Sequence, residues 1–147
     1  MKEKILISAC LLGQPCRYDG RSVPCLDATL LSDKFELIPF CPEVEGGLPT
    51  PRIPSERRGE LVINKEGLDV TEYFNKGASL ALKLCLDRGI RIAVLKENSP
   101  SCGSGFIYDG SFEGRLKEGR GVTAELLLNN GVDVFSEKNI EELTSRD

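Results

Sequence analysis

Short apolar segments recur along the chain, and each is followed by a stretch rich in polar residues, glycine or proline. They cover residues 4–9 (KILISA), 35–40 (FELIPF), 90–95 (IRIAVL) and 132–135 (VDVF). Continuous runs of this length, rich in isoleucine, leucine, valine and phenylalanine, are typical of strands that are buried on both faces of a sheet. The pattern therefore predicts four central strands.

Helical patterns lie between these strands. The longest covers residues 71–88, where apolar residues recur at spacings of three and four, and it ends before Gly89. Shorter helices are expected at residues 27–32 and 122–130. The apolar positions of the long helix are Phe74, Ala78, Ala81, Leu82 and Cys85.

This alternation predicts an α/β fold, with one domain over residues 1–140 and a mainly parallel sheet flanked by helices in a Rossmann-like arrangement. Residues 59–68 (GELVINKEGL) are expected to form a small hairpin or an extended insertion. The charged tail at residues 141–147 is expected to fray. Ligands of such sheets bind outside the carboxyl ends of the parallel strands, so the loops that follow the strands are where a site is expected.

The composition is that of an ordinary globular protein, since 40% of the 147 residues are hydrophobic and 29% are charged. No apolar stretch approaches the roughly 20 residues that a membrane-spanning helix needs. The N-terminus lacks the apolar core of a signal peptide, so we expect a cytoplasmic protein that does not bind membranes. The net charge of −4 argues against general nucleic-acid binding, which depends on neutralising phosphates. A small molecule is the expected partner.

The chain contains no histidine and six cysteines. Without an imidazole, serine–histidine and cysteine–histidine catalysis are excluded, as are histidine-ligated metal sites. In a reducing cytoplasm, cysteines in polar loops are better explained as metal ligands or catalytic thiols than as structural disulfides. Iron–sulfur clusters and zinc are the metal centres that such a set of ligands favours.

Four cysteines follow predicted strands. Cys10, Cys41 and Cys102 lie at or shortly after a strand end, and Cys16 lies in the loop after the first strand. We expect these four thiols to meet at one edge of the sheet. Cys85 belongs to the apolar face of the long helix and is expected in the core. Cys25, beside Pro24 near the start of a helix, is expected to have a role other than that of a ligand.

Two of the strand-end loops carry further candidate chemistry. In residues 41–52 (CPEVEGGLPTPR), prolines stiffen the loop and Glu43 is placed over the sheet edge, where partial burial suits a carboxylate to proton transfer. An equally good interpretation is that Glu43 and Glu45 are two solvated carboxylates in a turn. Arg52 is expected to bind a substrate oxygen or to pair with a glutamate. In residues 96–105 (KENSPSCGSG), glycines permit close approach to a cluster or an anion, although the segment is not a Walker motif.

Three blocks of the chain resemble a known family. They are SACLLGQPCRYDG at residues 8–20, CPEVEGGLPTPR at residues 41–52 and KENSPSCGSG at residues 96–105. Together they resemble the bacterial family known as domain of unknown function 523, whose characterised member is a thiouracil desulfurase. Segments 108–112 (YDGSF) and 119–124 (GRGVTA) are similar to that family as well, so the resemblance spans nearly the whole chain.

The resemblance implies a cofactor, a reaction and a set of site residues. A [4Fe-4S] cluster would be held by Cys10, Cys16 and Cys102, with one iron left without a protein ligand. Catalytic roles would belong to Glu43 and to a serine of the Ser-Pro-Ser-Cys stretch, with Ser99 preferred to Ser101. The expected activity is a non-redox removal of sulfur from a thiolated nucleobase or a similar thiocarbonyl compound, giving the carbonyl product and hydrogen sulfide.

Two other functions stay open from the residues alone. A zinc ion held by Cys10, Cys16, Cys41 and Cys102 would form a closed binding or storage module without turnover. A sulfur carrier without metal would instead need a cysteine of low pKa, for which Arg17 beside Cys16 gives faint support.

Overall fold

A sheet of four parallel strands lies at the centre of the structure, a computed structural model that describes residues 2–144. The elements are, in chain order, β1 (Glu3–Ser8), α1 (Leu26–Leu30), β2 (Phe35–Phe40), α2 (Pro42–Glu45), β3 (Ser55–Arg58), β4 (Leu61–Asn64), α3 (Thr71–Arg88), β5 (Ile92–Leu95), β6 (Phe106–Tyr108), β7 (Leu116–Glu118), α4 (Val122–Asn129), β8 (Asp133–Ser136) and α5 (Glu141–Thr144). Single 3₁₀ turns follow β1, at Ala9–Leu12, and α1, at Leu31–Asp33.

The central strands lie in the order β2-β1-β5-β8, and every neighbouring pair is parallel. The chain passes from β1 to β2 on one side and later returns to β5 on the other side of β1. Such a reversal opens a crevice at the carboxyl ends of the two middle strands, where α/β proteins bind ligands. The predicted α/β fold with a mainly parallel sheet is confirmed.

Side chains of the central strands alternate between two apolar cores, one on each face of the sheet. Ile5 and Ile7 face the core that α1 and α5 cover, whereas Leu6 faces the core formed with α3 and α4. Because helices cover both faces, both sets of strand positions are apolar, which explains the continuous apolar runs in the sequence. The helix side chains that complete these cores include Ala28, Leu143, Ala81, Cys85, Ala124 and Leu127.

The predicted elements agree closely with the structure. The long helix occupies residues 71–88 as predicted, and the four central strands begin and end within about two residues of the expected positions. The helix expected at residues 27–32 is formed by α1 and the 3₁₀ turn after it, and α4 covers most of residues 122–130. Within residues 2–144, no helix is both long enough and apolar enough to cross a membrane.

Two segments differ from the expectation. The hairpin expected at residues 59–68 begins earlier, because its first strand is β3, whose sequence Ser-Glu-Arg-Arg carries no apolar signal. Residues 141–144, expected to belong to a fraying tail, form α5, and Leu143 is fully buried. Leu143 joins Ile140 in the core of one sheet face, so apolar burial holds this segment in place. The rest of the expected tail, residues 145–147, lies outside the described residues.

Three short elements have no counterpart in the prediction: α2, β6 and β7. A single helical turn and two strands of three residues are too short for a periodic pattern to reveal them. In the sequence, α2 is part of a loop stiffened by proline, and β6 and β7 lie in segments of mixed polarity. Residues of α2 and β6 line the cavity described next.

Candidate active site

A cavity of about 410 Å³ lies at the carboxyl ends of β1, β2 and β5. It occupies the crevice that the strand order creates. The strand-end positions of the cysteines predicted that four thiols share this edge of the sheet, and the structure confirms it. Eight side chains singled out from the sequence line the cavity: Cys10, Cys16, Arg17, Cys41, Glu43, Arg52, Ser99 and Cys102.

A tight turn brings Cys10 and Cys16 together. Cys10 lies in the 3₁₀ turn after β1 and is 7% exposed. That turn ends at Gly13, whose left-handed φ of 97° reverses the chain direction. Cys16 is half-buried, and a hydrogen bond with the Cys10 thiol raises the pKa of Cys16. The spacing of six residues therefore places both thiols at one side of the cavity.

Cys41 and Cys102 join them from two other strands. Cys41 follows β2 directly, and a hydrogen bond with the Cys16 thiol raises the pKa of Cys41. Burial raises the pKa of the Cys102 thiol to about 12. Hydrogen bonding and burial therefore favour the protonated form of both thiols. A metal centre that uses either one must displace its proton.

Glu97 holds the loop that carries Cys102. This carboxylate follows β5 and is 8% exposed, so most of it is removed from water. Its Oε1 accepts hydrogen bonds at 3.0 to 3.3 Å from three backbone N–H groups, those of Asn98, Ser104 and Gly105. A buried carboxylate that binds several N–H groups fixes the loop that supplies them.

The first turn of α4 anchors the same loop from its other side. The N–H groups of Val122 and Thr123 donate to the carbonyl oxygens of Pro100 and Ser101, at 2.9 and 2.8 Å. A Cβ atom at Gly121 would overlap the backbone of Ser101, so glycine is required for this close approach. Loop and helix are thereby locked together.

The two candidate serines have different surroundings. Ser99 lines the cavity, and its Oγ accepts hydrogen bonds from the N–H groups of Ser101 and Cys102, each at 3.1 Å. The Ser99 hydroxyl donates to Oε2 of Glu43 across 3.5 Å. Ser101 is fully buried, and its hydroxyl lies 2.8 Å from that of Thr123. The structure thus places Ser99 at the cavity and Ser101 behind the loop.

Glu43 lies in α2, the single helical turn that follows β2. This turn packs backbone to backbone against α3. The contact requires glycine at position 77, since a Cβ atom at Gly77 would overlap the carbonyl oxygen of Pro42. The Nε atom of Arg52 donates to Oε1 of Glu43 at 2.9 Å. Of the two roles expected for Arg52, the structure shows the pairing with a glutamate.

The guanidinium of Arg52 also connects Glu43 to the cysteine loop. Its Nη2 donates to the carbonyl oxygen of Cys16 at 3.0 Å. Its Nη1 donates to the carbonyl oxygen of Pro49 at 3.2 Å and to Oγ1 of Thr50 at 3.1 Å. The Arg52 guanidinium therefore fixes the Glu43 carboxylate, the loop that carries Cys16 and residues 49–52 relative to one another.

The remaining candidates lie elsewhere. Cys85 is 1% exposed in the core beneath α3, as predicted, and burial raises the pKa of its thiol to about 11. Cys25 is half-buried and packs against the core that α1 and α5 cover, outside the cavity lining. Glu45 is exposed at the end of α2.

Two small hairpins, β3–β4 and β6–β7, contribute a wall of the cavity that sequence reasoning missed. Its residues are Ser55, Glu56, Lys65, Tyr108, Phe112 and Gly114. They come from segments with no clear hydrophobic period, so the pattern of the chain could not connect them to the cysteines. In the sequence, the feature that pointed to this wall was segment 108–112, which is similar to the family named above.

The chemistry of the donor set fits an iron–sulfur cluster, because cysteine thiolates are the usual ligands of such clusters. Within residues 2–144, no three histidine, cysteine, aspartate or glutamate side chains are arranged to hold a single metal ion. A carboxylate and a hydroxyl lie beside the thiols in a cavity large enough for a further small molecule. Fold and site together define an α/β protein whose candidate site gathers four cysteine thiols, a carboxylate and a hydroxyl in one cavity at the sheet edge.

Comparison with known proteins identifies the family. The family model for 2-thiouracil desulfurase matches residues 5–139, and the chain belongs to this family. It is 42% identical over 149 residues to the uncharacterized protein YbbK of Bacillus subtilis (strain 168), covering 95% of this chain and 99% of that protein. It is also 56% identical to the solved structure of a [4Fe-4S]-dependent thiouracil desulfidase, TudS (DUF523Vcz). That similarity has a TM-score of 0.92 and covers 97% of this chain and 96% of the other.

These comparisons confirm the resemblance that the three sequence blocks carry. They identify a family of enzymes and do not favour a zinc-binding module or a sulfur carrier without turnover.

Proposed function

We propose that this protein is a [4Fe-4S]-dependent desulfurase that removes sulfur from a thiolated nucleobase or a similar thiocarbonyl compound. The observation that carries the proposal is the convergence of four cysteines, Glu43 and Ser99 on one cavity. Family membership and the likeness to a [4Fe-4S]-dependent desulfidase support the cofactor and the substrate class. In the reaction, a thiocarbonyl group and water give a carbonyl group and hydrogen sulfide, which balances without electron transfer.

Cys10, Cys16 and Cys102 are the proposed cluster ligands. When bound, the cluster would supply an iron without a protein ligand, which acts as a Lewis acid toward the soft sulfur of a thiocarbonyl group. Cys41 lines the same cavity and is left out of this set because the family resemblance places the ligands at Cys10, Cys16 and Cys102.

Glu43 is the proposed proton-transfer group. Arg52 occupies Oε1 of its carboxylate, and Oε2 faces the Ser99 hydroxyl. Oε2 is therefore the atom that would take a proton from the water that attacks the thiocarbonyl carbon. The same proton would then be available for the departing sulfide. With no histidine in the chain, a carboxylate is the best remaining group for this work.

Ser99, rather than Ser101, is the proposed catalytic serine. Because two backbone N–H groups donate to its Oγ, its own proton is the one left to donate to Glu43 or to the substrate. The hydroxyl of Ser101 is paired with Thr123 in the interior. The support for Ser99 is thus its orientation as well as its place at the cavity.

A small molecule is the expected substrate, because a cavity of about 410 Å³ lies within the usual range for such ligands. Two expectations from the sequence stay predictions: that the protein does not bind nucleic acid in general, and that it acts in the cytoplasm. A reducing compartment would preserve three thiolate ligands.

Anaerobic reconstitution with iron and sulfide, followed by assay on 2-thiouracil and 4-thiouracil, tests the proposal. We expect a brown protein that bleaches with dithionite and that forms uracil and sulfide in equal amounts without added reductant. Protein treated with a chelator is the control and should form neither product. A protein with a full cluster that releases no uracil from either compound would overturn the proposed reaction.

A further inference from the structure

Phe112 borders the cavity in an unusual backbone conformation. Its φ is 58°, in the left-handed region that bulky residues rarely adopt. The residue is half-buried and lines the same cavity as Glu43 and Ser99. Strained residues of this kind persist only where their surroundings hold them, and they are often found at functional sites.

Two carboxylates hold the turn that carries Phe112. Oε1 of Glu56, on β3, accepts hydrogen bonds from the N–H groups of Gly110 at 2.9 Å and Phe112 at 3.1 Å. Oδ1 of Asp109 accepts from the N–H group of Ser111 at 2.9 Å and from its hydroxyl at 2.5 Å. These bonds offset the unfavourable backbone angle and fix the direction in which the aromatic side chain leaves the chain.

Arg58, also on β3, backs the same turn. Its Nε donates to the carbonyl oxygen of Gly110 at 2.7 Å, and its Cζ lies 5.9 Å from the centre of the Phe112 ring. At Gly110 a Cβ atom would come within 2.6 Å of the Arg58 side chain, so glycine lets the two approach. The ring is thus supported by a guanidinium while it borders the cavity.

We propose that Phe112 recognises the substrate by stacking on its planar ring, and that Glu56 is the positioning residue for Phe112. The ligand class is a heteroaromatic thiocarbonyl compound, as opposed to an open-chain one. This inference rests on the proposed function and deepens it. Glu43 acts on the water that attacks the thiocarbonyl carbon from one face of such a ring, and stacking uses the other face. Stacking therefore orients the ring without competing with that attack.

Phe112→Leu tests the stacking, because leucine keeps the apolar bulk and the backbone strain but has no aromatic face. We expect the KM for 2-thiouracil and the Kd for uracil to rise about tenfold, with kcat nearly unchanged. Phe112→Tyr keeps the ring and should restore both constants. Phe106→Leu is the matched control, since Phe106 lies on the adjacent strand β6 with 51% of its surface exposed.

Glu56→Ala tests the positioning role. If Glu56 acts through Phe112, its removal should raise the same KM and add little in a Phe112→Leu background. Glu56→Gln keeps one carbonyl acceptor and should fall between the wild type and Glu56→Ala, and it carries the test if the alanine variant fails to fold. Additive effects in the double variant would refute the positioning role.

The remaining outcomes separate this inference from the proposed function. A folded Phe112→Leu protein that desulfurates 2-thiouracil with unchanged KM and Kd would overturn the stacking and leave the function standing. A fall in kcat at unchanged KM would overturn it as well, because the ring would then act in the chemical step. A wild-type protein with a full cluster that neither binds uracil nor releases sulfide would overturn the proposed function, and this inference with it.

Discussion

Arg52 and Glu43 form an ion pair of 2.9 Å beside a cavity lined by four cysteines, with only 6% and 16% of their side chains exposed. The pairing fixes one carboxylate oxygen and leaves the other toward Ser99. Because the same guanidinium binds the carbonyl oxygen of Cys16, the positions of a proposed proton-transfer group and a proposed cluster ligand depend on one side chain.

Glu43→Gln should keep the fold and the cluster while lowering turnover by roughly 10²- to 10⁴-fold, the usual contribution of a positioned acid or base. The amide preserves the shape of the side chain but cannot accept and return a proton. The measurement is the rate of desulfuration at equal cluster occupancy. Glu45→Gln is the matched control on the same helical turn, since Glu45 is exposed, and it should do much less. Near wild-type turnover in Glu43→Gln would transfer the role to Ser99, Ser101 or a bound water.

A double-mutant cycle of Arg52→Gln and Glu43→Gln should give a coupling free energy of about 1–3 kcal/mol, because the pair is largely removed from water. The free energy of unfolding of the four proteins provides the measurement. Lys83 and Asp87 form the reference pair, with 69% and 58% of their side chains exposed, and should give only about 0.3–0.5 kcal/mol. Equal coupling in both cycles would contradict the structural role given to Arg52.

Ser99→Ala should mainly lower turnover, whereas Ser101→Ala should mainly lower stability. Ser99→Ala removes the hydroxyl that faces Glu43, so turnover should fall by roughly 10²-fold at full cluster occupancy. Ser101→Ala leaves the Thr123 hydroxyl without its partner, which should cost about 1–3 kcal/mol of stability with turnover largely kept. Thermal unfolding and desulfuration rate measured on both variants decide between them. Loss of turnover only in Ser101→Ala would reverse the assignment.

Alanine at Cys10, Cys16 or Cys102 should abolish the visible absorbance of the cluster and the activity, because each change removes a ligand. Iron content and the absorbance spectrum after identical anaerobic reconstitution provide the readout. Cys41→Ala is the comparison, since Cys41 lines the same cavity and should retain its iron. If Cys41→Ala loses iron while Cys16→Ala does not, the proposed ligand set is wrong.

Cys85→Ala should leave iron content unchanged and cost about 1 kcal/mol of stability at pH 7, because the residue is buried in the core. Above its ordinary pKa of 9.0 the unfolded thiol ionises, whereas burial raises the pKa of the folded thiol to about 11. The stabilising contribution of the neutral thiol is therefore complete below pH 9 and is lost as the pH rises through 11. Unfolding measured at several pH values should show the gap between the wild type and the variant narrowing over this range. A gap that widens would contradict the assignment.

The main elements could be predicted because their signals are local. Residues 71–88 repeat apolar side chains at helical spacing, and the four central strands are continuous apolar runs, so their burial is readable from residue type alone. Strand β3 could not be found in this way, because its sequence Ser-Glu-Arg-Arg is polar although it pairs with β4. The burial of Leu143 could not be predicted either, because its three nearest neighbours in α5 are charged or polar and a single leucine shows no apolar period.

The sequence by itself determined the α/β fold, the meeting of four thiols at one sheet edge and the family, since alternating strands and helices favour a parallel sheet whose strands all end at one edge. Only the tertiary structure decided that Arg52 pairs with Glu43, that Ser99 and not Ser101 reaches the cavity, and that Phe112 forms part of its wall. Ser99 faces Glu43 across 56 residues of the chain, and Ser101 pairs with Thr123 across 22. Hydrophobic periodicity records which side chains are buried, but the partner of a loop side chain is set by how separate elements pack, and chain order does not encode that locally.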